Sequence, residues 1–267
     1  MSLLDVYIIY FVALLPAAVI ITYVYKKDLF PEDKREVAIT FLLGSSIVLF
    51  LYLMIPIAES FNDVFFEGYG HIAFLTFFRA ATLEETFKLL VVFFYSYKLK
   101  SFNEPMDAVV FATSASLGFA AIENIQYVHL GETENQAFDI AFARAFSAVP
   151  LHGLCGIIMG IFFGLAAFAE RNNKKYLFYA LAIPIVIHGT YNFVLSIGAG
   201  ILIYLILIVL IFRINSIFEK LNYDQIKRGK EDLELTYEIT LAEILSNILK
   251  ITGIIIVGVI TLEVFFN

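Results

Sequence analysis

The chain has 267 residues, of which 60% are hydrophobic and only 16% are charged. A soluble domain carries about a quarter charged residues, so this composition excludes an ordinary water-soluble globular protein and indicates a lipid bilayer as the surroundings. The net charge of −7 comes with no basic stripe, and we expect no nucleic-acid partner.

Apolar stretches long enough to cross a bilayer recur along the whole chain. A helix needs roughly 18–20 apolar residues to span about 30 Å of hydrocarbon. The stretches of this length are residues 6–25, 38–58, 72–97, 106–128, 137–169, 176–197, 199–218 and 244–266. The sequence therefore predicts an all-α, polytopic protein with about eight transmembrane helices, in which residues 1–267 form a single integral membrane domain.

Two regions depart from a simple series of spans. The fifth stretch, 137–169, is long for one crossing and contains Pro150, so we expect a tilted or kinked helix, or an interfacial turn before the span. Between the last two stretches, residues about 219–243 are polar and are predicted to form a cytoplasmic connection.

Lysine and arginine are sorted between alternate connections. All but four of the 18 lie in or next to the connections that follow the first, third, fifth and seventh stretches. The other connections and both ends of the chain carry acidic residues instead. Because connections rich in lysine and arginine stay in the cytoplasm, we expect a multi-pass protein of the cell membrane with both termini outside.

Several ionisable residues nevertheless fall inside the predicted spans. The four basic exceptions are Arg79, Lys88, Arg144 and Lys250. A charged side chain at membrane depth costs at least about 2.5–3.5 kcal/mol, and such residues usually face a polar interior and mark function. Glu84 and Glu85 precede Lys88 by four and three residues, so the lysine can neutralise either carboxylate.

Three further spans contribute polar side chains at membrane depth. They are Glu123 and Asn124 in the fourth stretch, Arg144 and His152 in the fifth, and His188 and Asn192 in the sixth. His188 and Asn192 are one helical turn apart, and a rise of about 1.5 Å per residue brings the carboxylates and imidazoles to compatible depths. We therefore expect one polar cluster in the outer half to the middle of the bilayer.

This set of side chains suits the activation of water for hydrolysis. A carboxylate or a histidine would take the proton of the water, while a second histidine and an amide stabilise the oxyanion. Alternatively, a zinc ion would be held by Glu85, Glu123, His152 and His188, with the attacking water in the open position. Two non-hydrolytic functions also remain open: a proton-coupled transporter, and a scaffold whose histidines only hold helices together.

Four short motifs follow one another on consecutive stretches. They are EExxK at 84–88, GFxxxEN at 118–124, His152, and HxxxN at 188–192. Together they resemble the PrsW family of intramembrane proteases, which is similar to the type II CAAX prenyl endopeptidases and, more distantly, to the Aph subunit of gamma-secretase. The resemblance places a protease-like core at residues about 71–197.

The resemblance implies an endopeptidase that cuts a membrane-anchored protein, with site-one cleavage of an anti-sigma factor on the outer side as the known theme. It implies that Glu84 or Glu85 acts with His152 on water, by a zinc-dependent or a glutamate-type mechanism. The pair His188 and Asn192 would polarise the scissile carbonyl.

Lys88, Glu123, Asn124 and Arg144 are expected in supporting positions. Lys88 would tune the protonation of the two glutamates. The prenyl endopeptidases have a histidine where this chain has Glu123, so Glu123 is a ligand, a base or the counter-ion of Arg144. An Aph-type scaffold does not need the glutamate pair, and a transporter would show paired broken helices in repeated halves, so the pattern favours the enzyme.

Overall fold

The computed structural model describes residues 3–229 and 233–266, apart from the side chains of residues 203, 205–206, 209–213 and 228. The described chain contains helices and connections without a strand. The helices are α1 (Leu3–Lys27), α2 (Lys34–Phe65), α3 (Gly68–Ala73), α4 (Leu83–Phe94), α5 (Pro105–Val128), α6 (Glu134–Ala145), α7 (Ala148–Phe168), α8 (Asn173–Ser196), α9 (Ile201–Arg228) and α10 (Leu241–Phe266). A π-helical segment, Phe74–Thr82, joins α3 to α4, and a short 3-10 turn, Ser96–Lys98, follows α4.

Six helical segments of the described chain are long and apolar enough to cross a membrane. They are Leu3–Lys27, Lys34–Phe65, Pro105–Val128, Glu134–Phe168, Asn173–Ser196 and Leu241–Phe266. The prediction of an all-α polytopic membrane protein is therefore confirmed. The expected number of about eight spans and the outer location of both termini stay predictions.

The long fifth stretch is divided between two helices. α6 ends at Ala145 and α7 begins at Ala148, so the chain breaks at Phe146 and Ser147. Pro150 lies in the first turn of α7, where its missing N–H would have had no intrahelical partner and where a proline causes no kink. The structure thus matches the expected turn before the span.

α5 lies at the centre of the molecule, because it packs against α7, α2 and α1. Most of its residues are buried, and many of them are small: alanine, serine, threonine and glycine. Gly160 of α7 lies against the Val109 backbone, where a Cβ atom has no room. Small residues at such crossings let helix backbones approach closely, as membrane helices require in the absence of a hydrophobic driving force between them.

The lysine-rich connections meet at one end of the molecule. The extended segment after α9 packs there, since the Leu233 N–H donates to the Asn103 carbonyl (2.9 Å) and the Thr236 N–H to the Ala167 carbonyl (3.0 Å). The polar connection predicted at about 219–243 therefore consists of the end of α9 and of this extended segment. Residues 230–232 of the connection lie outside the described residues.

Candidate active site

A π-helical segment leads directly into the paired glutamates. α3, Phe74–Thr82 and α4 follow one another as one continuous helix. The Thr82 hydroxyl donates to the Phe77 carbonyl, five residues earlier, at 2.7 Å. π-helical turns are frequent at functional sites. The wider turn changes the direction in which the side chains after it point, so it decides where Glu84 and Glu85 lie.

Glu85 and Lys88 form an ion pair that is fully buried. The Lys88 ammonium donates to Glu85 Oε1 at 2.7 Å and lies 3.8 Å from Glu84 Oε2. Its other side is covered by the Phe119 ring, whose centroid is 4.6 Å away. A buried charge is tolerated only when it is paired and hydrogen-bonded, so these contacts keep Lys88 in the protein interior.

The same ammonium contacts His152 and determines which of its ring nitrogens carries the proton. Lys88 Nζ lies 3.0 Å from His152 Nδ1. Because an ammonium can only donate, Nδ1 accepts, and the ring proton is assigned to Nε2. His152 Nε2 is 3.0 Å from Glu123 Oε2 and donates to it. His152 thus links the Glu85–Lys88 pair to Glu123.

Glu123 is the counter-ion of Arg144. Arg144 Nη2 donates to Glu123 Oε2 and Arg144 Nε to Asn124 Oδ1, both at 2.6 Å. The Asn124 amide donates in turn to the Ala13 carbonyl at 2.8 Å, and the guanidinium lies 3.8 Å above the Tyr127 ring. These contacts fix the break between α6 and α7 against α5 and α1.

His188 is bonded to one glutamate and faces the other. His188 Nδ1 lies 2.9 Å from Glu85 Oε1, and a neutral ring donates there, which leaves the Nε2 lone pair available. Nε2 lies 3.8 Å from Glu84 Oε2, an oxygen that is buried and has no hydrogen-bond partner. The His152 and His188 rings meet edge to face, with centroids 5.0 Å apart.

These groups line a polar cavity of about 270 Å³. The functional candidates on its wall are Glu84, Glu123, Arg144, His152, His188 and Asn192. A second cavity of about 330 Å³ has apolar walls from α2 and α5 and shares Arg79, Glu84, Glu123 and Tyr127 with the first. Glu84 therefore lines both cavities, whereas Glu85 lines neither.

The sequence predicted one polar cluster, but it did not predict several of the side chains that contact and position the cluster. Phe119 stacks over Lys88 and meets the His152 ring at 5.6 Å, and Ser116 donates to the His152 carbonyl at 2.7 Å. Phe119 lies one turn before Glu123 on the same helix face, which was the available signal. Arg79 pairs with Glu59 of α2 at 2.8 Å.

The donor set fits a metal ion in its chemistry. Ligand atoms of Glu84, Glu85, His152 and His188 all lie within 4.8 Å of one another, and the four side chains are buried. Carboxylate oxygen and imidazole nitrogen are ligands that zinc takes, and the buried Oε2 atoms of Glu84 and Glu85 have no hydrogen-bond partner. The Lys88 ammonium competes with a metal ion for three of the four residues, Glu84, Glu85 and His152. Glu123, expected as a ligand, lies outside this group and bonds to Arg144 and His152 instead.

Comparison with known proteins gives one consistent result. Residues 32–259 match the model of the PrsW family intramembrane metalloprotease. The chain is 37% identical to the protease PrsW of Oceanobacillus iheyensis over 182 residues, which cover 68% of this chain and 80% of that protein. It is 32% identical to the protease PrsW of Bacillus subtilis over 183 residues, 68% of this chain and 79% of that protein.

A third relative, the protease PrsW of Clostridioides difficile, is 29% identical over 212 residues. This match covers 78% of this chain and 88% of that protein, more than the other two. No solved structure matches the chain. The comparisons support neither a transporter nor a scaffold. The buried glutamate and histidine cluster and the matches together show that this chain belongs to the PrsW family of intramembrane proteases.

Proposed function

We propose that this protein hydrolyses a peptide bond of a membrane-anchored protein, with Glu84 and His188 acting on the attacking water. The observation that carries this proposal is the position of two hydrogen-bond acceptors, one on Glu84 and one on His188. Glu84 Oε2 is buried, has no hydrogen-bond partner and lies 3.8 Å from His188 Nε2, and both residues line the polar cavity. A water molecule in that cavity would have both atoms as proton acceptors.

The reaction then needs a base, an oxyanion donor and an acid. Glu84 accepts a proton as the water oxygen bonds to the scissile carbonyl carbon. Asn192 and Arg144 line the same cavity, and their side-chain N–H groups would be the donors for the oxyanion. When the C–N bond breaks, Glu84 returns the proton to the leaving amine, so that the products are an amine and a carboxylic acid, which then loses its proton to water.

Glu85, Lys88 and His152 are positioning residues in this scheme. Glu85 holds the His188 Nδ1 proton at 2.9 Å and so directs the Nε2 lone pair toward Glu84. Lys88 holds Glu85 and His152 in place through bonds of 2.7 and 3.0 Å. Of the two glutamates that the sequence left open, this geometry supports Glu84 as the base.

Zinc remains an alternative on the same side chains. Glu84, Glu85, His152 and His188 would hold it, and a bound zinc ion would supply Lewis-acid polarisation and a more acidic water. The family description as a metalloprotease agrees with this donor set.

The proposed substrate is an anti-sigma-like protein with a single membrane anchor, cut on its outer side. The apolar cavity between α2 and α5 opens beside Glu84 and is lined by Val48, Leu51 and Ile55, which suits a hydrophobic segment arriving through the bilayer. Glu123 lies five residues from the α5 end that precedes the acidic connection, about 8 Å in depth. This supports an active site in the outer half to the middle of the bilayer.

The test is cleavage of a single-span model substrate in proteoliposomes by wild type, Glu84→Gln and His188→Ala. We expect the initial rate to fall by at least about 100-fold in both variants, since each removes an acceptor for the protons of water. Glu132→Gln, an exposed glutamate after α5, is the matched control and should keep the wild-type rate.

Metal content is measured on the same samples. Cleavage by metal-free wild type supports the glutamate mechanism, and cleavage that needs zinc bound by the four residues supports the zinc alternative. Undiminished cleavage by Glu84→Gln would show that Glu84 is not the base.

A further inference from the structure

One charged side chain inside a predicted span is only partly covered by the protein. Arg79, in the π-helical segment, pairs with Glu59 of α2, and 31% and 43% of their side-chain surfaces are exposed. In the Lys88–Glu85 pair, by contrast, both side chains are 0% exposed. A charge at membrane depth usually faces a polar interior or a water-filled cavity and marks function, so the exposed part of Arg79 needs a functional explanation.

Arg79 lies where the polar and the apolar cavity meet. It lines both of them, together with Glu84, Glu123 and Tyr127, and among these four residues it carries the positive charge. Arg144 lines only the polar cavity and is bonded to Glu123. A substrate segment that extends from the apolar cavity to Glu84 therefore passes beside Arg79.

The guanidinium keeps N–H donors for a second carboxylate. Arg79 Nε and Nη2 both donate to one oxygen, Glu59 Oε1, at 3.1 and 2.8 Å. A guanidinium carries several N–H donors in a planar fork that fits the two oxygens of a carboxylate. Glu59 thus orients Arg79 without using the whole fork. Because partly exposed ion pairs are weak, a carboxylate of the substrate can also replace Glu59 at small cost.

We propose that Arg79 is a specificity-determining residue that binds an aspartate or glutamate side chain of the substrate near the scissile bond. This inference rests on the proposed proteolysis at Glu84. Arg79 precedes Glu84 by five residues, about 7.5 Å along a helix, a distance that an extended peptide covers in about two residues.

The direction along the substrate follows from the position of Arg79 in its helix. Arg79 lies nearer than Glu84 to the α2–α3 connection, which the charge pattern places outside. The acidic side chain is therefore expected about two residues from the scissile bond, on its outer side. A lysine at that position of the substrate would be repelled by Arg79, so the enzyme should discriminate between acidic and basic substrates.

The test compares single-span substrates that differ in one residue, which is glutamate, glutamine or lysine at about two residues outside the scissile bond. Mass spectrometry of the products locates that bond first. Wild type, Arg79→Gln, Arg79→Lys and the control Arg171→Gln, an exposed arginine after α7, are assayed in proteoliposomes. We expect wild type and Arg171→Gln to cleave the glutamate substrate with a kcat/KM at least about tenfold above that of the lysine substrate.

The ratio between substrates separates specificity from a structural role. In Arg79→Gln the ratio should fall close to one, and Arg79→Lys should keep part of it, because its ammonium still attracts a carboxylate. A variant that merely folds poorly loses activity on all substrates alike and keeps the wild-type ratio. An unchanged ratio in Arg79→Gln, or no preference in wild type, would overturn the proposal.

Binding without cleavage keeps this inference separate from the proposed function. The same substrates, fluorescently labelled, are titrated against Glu84→Gln and Glu84→Gln/Arg79→Gln in nanodiscs. We expect the Kd of the glutamate substrate to be about tenfold below that of the lysine substrate in the first protein and equal to it in the second. This preference in a protein whose wild type cleaves nothing would refute the proteolysis alone, whereas cleavage without any preference would refute the role of Arg79 alone.

Discussion

Lys88 is the residue on which the polar cluster depends most directly. Its ammonium contacts Glu85 and His152 and is covered by the Phe119 ring, so it is entirely enclosed by protein. The Coulomb attraction of a buried pair is set against the cost of removing both charges from water, and the balance is close to zero. Removing only one partner leaves an uncompensated charge, which is far more costly.

Lys88→Met should therefore destabilise the protein by about 3–5 kcal/mol, because the Glu85 carboxylate then lacks its buried counter-charge. It should also abolish cleavage, since His152 and Glu85 lose the donor that orders them. The free energy of unfolding is measured in mixed micelles, beside the cleavage rate.

The double variant Lys88→Met/Glu85→Gln tests the cause. Removing both charges should recover most of the lost stability without recovering activity. Equal destabilisation by the single and double variants would instead point to packing around the lysine stem.

Residue spacing predicted the contacts within a helix but not those between helices. The three- and four-residue spacing of Glu85 and Glu84 from Lys88 correctly predicted their approach. The contacts of Glu123 depend on the rotation of α5 relative to α7 and on the break after α6, neither of which leaves a periodic signal. The structure pairs Glu123 with Arg144, one of the three interpretations that the sequence left open, and its roles as a ligand or a base stay predictions.

At the scale of whole helices, length and apolar composition located the spans, while their interruptions depend on packing. The stretch 72–97 is uniformly apolar around its charges, yet it changes to π-helical geometry at Phe74 and back at Leu83. The stretch 137–169 breaks at Phe146 and Ser147 rather than at its proline. Apolar periodicity reports burial and cannot report a change of hydrogen-bond register.

The α5–α7 crossing gives a prediction at this scale. Gly160→Ala should lower the free energy of unfolding by about 1–3 kcal/mol, because the new methyl group meets the Val109 backbone, which cannot move as a side chain can. Gly253→Ala on α10 is the matched control, since no atom lies within 4 Å of its Cβ position. Thermal unfolding of both variants in the same detergent makes the comparison, and equal stability would argue that α5 and α7 are not held this closely.

For the molecule as a whole, the sorting of lysines along the sequence corresponds to a real grouping in space. The connection after α1 meets the start of α5 and the end of α9 through Gln225, and the segment after α9 meets the end of α7 through Thr236. At the other end, the first half of α1 packs on α6, and Glu263 near the end of α10 accepts the Glu67 N–H. Elements that the charge pattern placed on one side of the bilayer are therefore neighbours, which makes the orientation testable with few probes.

Labelling of single cysteines in intact cells decides that orientation. Leu130, 71% exposed in the α5–α6 connection, and Lys100, exposed in the α4–α5 connection, are each replaced by cysteine, and the buried Cys155 serves as the unreactive background. Because lysine-rich connections stay in the cytoplasm, a membrane-impermeant maleimide should label Leu130→Cys directly and Lys100→Cys only after permeabilisation. The reverse pattern would place the polar cavity and its glutamate in the inner half of the membrane, and with them the bond that this protease cuts.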